Sequence, residues 1–304
     1  VSDGGAEHLL THGPYRAVAT EVGGGLRLLS HEGRDLIRPY EPGEVRPRFR
    51  GAILAPWPNR VADGRYRFEG AEHQLHLSEP ERANALHGLV CWARFAVVEQ
   101  TEAAVTVRHD LVPQPGYPFA LRLTVRHELG DDGLTTTVTA RNDGRRAAPY
   151  GVAPHPYLVA GPGRLDAWTL RLPTTTMLEV TPDRLLPTGR TDVEGTQRDF
   201  RSARTIGTTE LDHAFTGLRA DADGRARVQL HDDSGRGAEC TWDPAVLPWL
   251  QVHTGDLPEE PENTRRGLAV EPMSCPPDAF RSGEDLVTLA PGAEHVASWT
   301  LAAL

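Results

Sequence analysis

Along much of this chain, apolar residues recur at every second position. In Leu121-Arg122-Leu123-Thr124-Val125-Arg126-His127 the apolar side chains fall mostly on one parity and the polar ones on the other. That is the pattern of a strand with one buried face. Gly130-Asp131-Asp132-Gly133 reads as a turn, and Leu134-Thr135-Thr136-Thr137-Val138-Thr139-Ala140 resumes the alternation with β-branched residues. The two runs predict a β-hairpin. Residues 66–68 and 74–77 predict another, around Glu69-Gly70-Ala71-Glu72, and further strands are expected at 105–111, 225–230 and 295–301.

Thirty glycines and 25 prolines are scattered throughout, which leaves little room for long helices. Many short strands between turns predict an all-β protein, a large antiparallel β-sandwich. Neither a repeat nor a low-complexity linker interrupts the pattern, so residues 1–304 read as a single domain. Two stretches look like long loops bordering a site: residues 40–51, and the charged, mobile-looking 255–267 with its Pro-Glu-Glu-Pro-Glu-Asn.

Composition narrows the function classes. With 39% hydrophobic and 24% charged residues the profile is that of a soluble globular protein. A net charge of −10 argues against a general nucleic-acid binder, which needs clustered Lys and Arg. Cys91, Cys240 and Cys275 are odd in number and far apart, with no CxxC. They predict reduced thiols and a cytoplasmic setting rather than disulfides or a zinc knuckle. Val1-Ser2-Asp3-Gly4-Gly5 has no basic-then-apolar leader pattern, and no apolar run is long enough to cross a bilayer. A small-molecule partner is expected, with no nucleic acid and no membrane, on a monomer or homodimer.

The chain has no HExxH, GxSxG, GxxxxGK[ST] or strand-to-helix GxGxxG, so no metal or cofactor is expected. Gly23-Gly24-Gly25 reads as a turn. Of the 13 histidines, His8, His12, His31, His73 and His231 lie in polar or turn contexts that suit solvated imidazoles. Six segments differ, because reactive polar residues sit in apolar or Pro-rich surroundings. They are Pro56-Trp57-Pro58-Asn59-Arg60, Asn84-Ala85-Leu86-His87-Gly88, Pro154-His155-Pro156-Tyr157, Leu211-Asp212-His213-Ala214-Phe215, Trp249-Leu250-Gln251-Val252-His253-Thr254-Gly255 and Leu268-Ala269-Val270-Glu271-Pro272-Met273. The apolar approach to Glu271 implies burial, and a buried carboxylate pairs with a cation or shifts its pKa upward.

In order and spacing these segments resemble the motifs of the aldose 1-epimerase (galactose mutarotase) family. The resemblance is most specific from about Gly51 to about Phe280. It implies the family's β-supersandwich and the interconversion of α and β anomers of a free aldohexose without a cofactor. It also implies Glu271 as general base, His155 as general acid and His87 near the ring oxygen. Asn59, Arg60, Asp212 and Gln251 would bind sugar hydroxyls. Trp57 or Trp249 would offer an apolar face or, equally, pack in the core. Strand alternation points His213 away from the site and lets His253 share the face of Gln251, and Cys275 reads as a structural thiol. Pro154-His155-Pro156 departs from the Asn-His or Ser-His context of well-known members, and Gly116-Tyr117-Pro118-Phe119 lacks the final Gly of the corresponding turn. Two other readings remain open. One is a non-catalytic carbohydrate-binding protein. The other is a different enzyme on a related sandwich, such as a mutarotase of a phosphorylated hexose, for which Arg46, Arg48, Arg50 and Arg82 are candidate anion ligands, or a hydrolase using Asp212 and Glu271 as paired carboxylates.

Overall fold

A computed structural model describes residues 5–304; of the Val1–Gly5 stretch read for a leader, residues 1–4 lie outside them. The architecture is nearly all β, and its large sheets are antiparallel throughout. The hairpin expected from alternation forms between Leu121–Gly130 and Gly133–Asn142, with Val125 opposite Val138 and Gly130 opposite Gly133. The second hairpin forms with a correction. Its strands are Arg65–Phe68 and Ala71–Gln74, so the turn is Glu69-Gly70 alone. Both turn residues adopt positive φ, the geometry of a tight two-residue connection.

Nine strands form the larger layer, with Leu121–Gly130 and Gly133–Asn142 followed by Glu294–Ala303, Gly237–Trp242 and Ala226–His231. A second sheet has six strands in the order Tyr157–Leu158, Leu268–Met273, Trp249–His253, Asp212–Thr216, Thr176–Val180 and Pro187–Asp192. One buried cluster joins the layers, bringing Leu123, Val125, Val138 and Trp299 together with Phe215, Leu250, Val252 and Val270. A four-stranded N-terminal sheet, Glu7–His12 to Arg34–Asp35, packs onto Leu121–Gly130. Among the described residues no helix is long and apolar enough to span a membrane.

The six-stranded sheet has two unlike faces, and this places the site. Directly opposed residues of an antiparallel pair point to the same face. Glu271 lies opposite Gln251, Gln251 opposite Ala214, and His253 opposite both Asp212 and Ala269. Val270, Val252 and His213 share the other face, on the side of the main core. The Leu268–Met273 strand is buried along its whole length, so Glu271 is enclosed like its apolar neighbours.

His127 shows how the core treats a polar group. It is fully buried, with Nδ1 at 2.9 Å from Thr136 Oγ1 and Nε2 at 3.0 Å from the Gly24 carbonyl. Burial lowers its pKa to about 4. A depressed pKa gives stability that is complete above the unfolded value near 6.5 and drains as pH falls toward 4. The melting temperature should therefore fall on acidification across this window, and less steeply in His127→Gln, whose amide carries no titrating charge. Parallel curves for the two proteins would remove His127 as a cause.

Candidate active site

Two short ladders carry the N-terminal half of the site. Arg60–Ala62 pairs with Asn84–Leu86, which brings Asn59 beside His87. His87 donates its backbone N–H to the Asn59 carbonyl at 2.9 Å, and Asn59 N–H donates back to His87 Nδ1 at 3.3 Å. With Nδ1 accepting, the neutral ring carries its proton on Nε2. Burial, with help from His155 and Arg60, holds the His87 pKa well below the usual histidine range, so a neutral donor is the stable form. Asn59 and His87 both have positive φ, a conformation costly for non-glycine residues and typical of functional sites.

Arg60 is locked from behind. Its Nε and Nη2 donate to the two carboxylate oxygens of Glu79 at 2.9 and 2.8 Å, and Asn84 Nδ2 donates to the same carboxylate at 2.9 Å. Glu79 is buried and lies outside the motifs noticed in the sequence. Its charge in Pro80-Glu81-Arg82 company resembles any polar turn, and only the fold shows that it fixes the guanidinium. A bidentate pair of this kind sets orientation as well as energy.

His155 sits between two ladders. Ala153–Pro154 pairs with Ile53–Leu54, and beyond it Val270 N–H donates to the Pro156 carbonyl at 3.1 Å. Gly51 N–H donates to the His155 carbonyl at 2.7 Å. The flanking prolines suit this extended crossing, since a residue before proline is held out of the helical region. Gly51 is required there: a Cβ would lie 1.8 Å from the Leu26 carbonyl oxygen, and its φ is +68°.

The two halves meet at a buried pair. His155 Nε2 lies 3.4 Å from Glu271 Oε1, with both side chains nearly inaccessible. His155 Nδ1 and Glu271 Oε2 are buried without a hydrogen-bond partner. The His87 and His155 rings meet edge-on, with centroids 5.1 Å apart. Burial lowers the His155 pKa to about 3, and the neighbouring His253 adds to the fall. Burial raises Glu271 well above the usual carboxylate range, Asp212 adds to the rise and Arg60 opposes it. Both shifts favour the neutral pair, with the shared proton on the carboxyl group.

On the same sheet face, Gln251 Nε2 donates to Asp212 Oδ1 at 2.8 Å, so the amide orients the carboxylate. His253 lies 3.9 Å from that oxygen and interacts with the Leu211 carbonyl at 3.3 Å. Trp57 is not at the site: it packs on Phe280 in the main core, its indole N–H directed to the Ala85 carbonyl. Trp249 lies on the site side of the sheet but is enclosed, donating to Asp285 at 2.8 Å. Cys275 is buried with its pKa raised to about 12, which leaves an inert thiol.

One contributor escaped the sequence reading. Phe49 packs its ring 4.7 Å from His87 and 6.2 Å from His155. Arg48 and Phe49 both hold positive φ in the short turn Pro47–Phe49. The long loop at 40–51 thus closes one wall, held inside by Arg46, which donates to Thr20, Tyr40 and the carbonyls of Val22 and Cys91. The 255–267 loop is anchored instead of loose. Arg265 pairs with Asp166 at 2.6 Å and Asp256 at 2.7 Å, Arg38 donates to Asn263, and Arg48 meets Glu260.

The four arginines considered for an anion are differently engaged. Arg46 is tied to neutral oxygens, Arg48 to Glu260, and Arg82 to Glu79 and the Asp183 carbonyl. Arg50 lies over the Tyr157 ring and donates to the Pro39 carbonyl. Among the described residues no group of three or more His, Cys, Asp or Glu is arranged to hold a metal ion.

Comparison with known proteins matches the chain to one family. The profile of a family described as aldose 1-epimerase matches residues 7–302. The chain is 36% identical to the uncharacterized Escherichia coli protein YihR over 287 residues, 94% of this chain and 89% of that one. It is 29% identical to the Escherichia coli aldose 1-epimerase over 282 residues, 79% and 78% of the two chains. The aldose epimerase homologue from Caenorhabditis elegans superposes with a TM-score of 0.85, covering 98% and 99% of the two chains at 17% identity, a likeness of fold.

Proposed function

The chain belongs to the aldose 1-epimerase family, and from that premise we propose that it interconverts the α and β anomers of a free aldohexose by acid–base ring opening and reclosure. The observation that carries this reading is the buried His155–Glu271 pair, with one unpartnered polar atom on each residue. Simple sugar binding needs hydroxyl partners but no acid and base facing each other. That contrast favours an enzyme over a binding protein.

Glu271 removes the proton from the C1 hydroxyl. The C1–O1 bond becomes a carbonyl, the C1–O5 bond breaks, and O5 takes a proton from His155. Rotation about C1–C2 turns the carbonyl over. Reclosure returns one proton from O5 to His155 and the other from Glu271 to O1. Positioned groups of this kind contribute about 10²–10⁴-fold each.

Burial favours the end of ring opening and opposes its start, because the sugar-free pocket holds the pair neutral. Ring opening converts the ion pair into protonated Glu271 and neutral His155, the forms that burial stabilises in this pocket. The sugar hydroxyls must first hold the charged forms, and hydrogen bonds to a charged form favour it. His87 Nε2–H serves the ring oxygen. Arg60, fixed by Glu79, and Asp212, oriented by Gln251, bind ring hydroxyls together with Asn59. No resident cofactor is needed for any of these steps.

Freshly dissolved α-glucose and α-galactose provide the test. In one-dimensional NMR, catalytic amounts of the protein should speed the approach of the anomeric signals to equilibrium well beyond the buffer rate. Buffer rates with every free aldose tried would defeat the proposal.

A further inference from the structure

The Arg60–Glu79 pair has a support that the ring-opening chemistry does not use. Thr176–Val180 and Pro187–Asp192 form a hairpin in the six-stranded sheet. Its tip is closed by Thr181, whose N–H donates to the Leu186 carbonyl at 2.9 Å and whose carbonyl accepts from Leu185 N–H at 3.0 Å. That tip lays Arg184 on the turn that carries Glu79 and Asn84, although Arg184 and Asn84 stand 100 residues apart in the chain. Arg184 Nε donates to the Arg82 carbonyl at 2.9 Å. Its Nη2 serves the Ala83 carbonyl at 2.8 Å, Asp63 Oδ1 at 2.8 Å and Asn84 Oδ1 at 3.3 Å. Asn84 Nδ2 donates back to the Arg184 carbonyl at 3.1 Å.

We propose that Arg184 is a positioning residue for sugar recognition: by clasping Asn84 it fixes, through Glu79, where the Arg60 guanidinium stands relative to Asp212 and Glu271. This rests on the reading of Arg60 as a hydroxyl-binding group. Three observations carry it. The clasp joins two separate bodies, because Arg60 belongs to the short ladder of Arg60–Ala62 with Asn84–Leu86, whereas the hairpin shares its sheet with the strands of Asp212, Gln251 and Glu271. The chain of contacts is continuous. Asn84 is fully buried, and its Nδ2 also donates to the Glu79 carboxylate that holds Arg60. With Oδ1 facing the Arg184 guanidinium and Nδ2 facing Glu79, the amide has one orientation; turned over, it would set like against like on both sides. Finally, the ladder has its own anchor. Ala62 N–H donates to Asp278 Oδ1 at 2.9 Å, and Asp278 N–H to the Arg60 carbonyl at 2.7 Å. Loss of Arg184 therefore leaves the Arg60 strand in place and frees the turn that bears Glu79. Ring hydroxyls are held alike before and during ring opening, so the effect falls on binding and not on the chemical step.

Arg184→Met keeps the apolar stem and removes the fork. Anomer exchange of glucose and galactose is measured by NMR, and sugar Kd by NMR titration of the same samples. For the sugar bound more tightly by wild type, Arg184→Met should raise KM and Kd about three- to tenfold while kcat stays within about twofold. Arg184→Lys should recover little, because an ammonium cannot reach the Arg82 and Ala83 carbonyls and Asn84 together. The deciding comparison is made in an Arg60→Met background. There Arg184→Met should change Kd and kcat/KM by less than about 1.5-fold, because no guanidinium is left to position. A merely structural role would weaken both backgrounds alike. Equal losses in the two backgrounds, an unchanged KM and Kd in the folded single variant, or a loss confined to kcat would each overturn the assignment. Should Arg184→Met fail to fold, Arg184→Lys takes its place in the same cycle with the same outcomes. Wild type that binds sugar without speeding exchange rejects the proposed function and leaves the Kd cycle to judge Arg184. Wild type that binds neither sugar and exchanges neither rejects both.

Discussion

Glu271→Gln should lower the rate of the proposed anomer exchange by about 10²–10⁴-fold while the protein keeps its fold. The amide fills the volume of the carboxyl group and cannot take the O1 proton. Stability moves the other way or not at all. Burial raises the Glu271 pKa, so the folded state holds its proton more tightly than the unfolded chain does. A raised pKa gives stability that is complete below the unfolded value near 4.3 and is lost as pH rises through the folded one. Removing that group removes the loss, and Glu271→Gln should melt at or above the wild-type temperature at pH 8. Polarimetry on α-glucose and α-galactose, paired with thermal melts, checks both parts. An active Glu271→Gln protein sinks the base assignment, and an inactive one that is also unfolded leaves His155→Asn as the deciding variant.

Arg46→Met should cost about 4 kcal/mol of unfolding free energy, because it strips donors from the oxygens of Thr20, Val22, Cys91 and Tyr40 inside the protein. Each buried acceptor left without a donor costs on the order of 1–3 kcal/mol, and neighbouring losses do not add fully. Arg46→Lys should recover little, since one ammonium cannot reproduce the planar fork. The urea midpoint reads the effect directly. A shift equivalent to less than about 1 kcal/mol would mean that water replaces the guanidinium without penalty.

Part of the fold and of the candidate site is legible in the sequence. Period-two alternation marked 121–127 and 134–140 because one face is buried and the other wet, and both lie in the hairpin. The turn at Glu69-Gly70 was drawn too wide, because Ala71 and Glu72 look like turn residues on a strand with no buried face. Glu271 drew notice through its apolar approach, a direct imprint of a strand buried on both sides. Arg46, Phe49 and Glu79 left no such imprint. Beyond the nearby Tyr40, their roles depend on contacts with segments 24 to 45 residues away for Arg46, 38 for Phe49 and 19 for Glu79, and local pattern does not encode them. Arg46 drew attention as a possible anion ligand and proved to be an internal tie.

The two-faced sheet has a consequence for how activity is lost. Sliding Leu268–Met273 by one residue against Trp249–His253 would send Val270 into the pocket and Glu271 into the apolar layer. Intermediate pairings therefore place a carboxyl group where no partner exists, and partly paired chains carry no catalytic function. Denaturant titrations should accordingly show enzymatic activity and far-ultraviolet ellipticity disappearing at one midpoint, which makes turnover a reporter of cooperative unfolding in this chain.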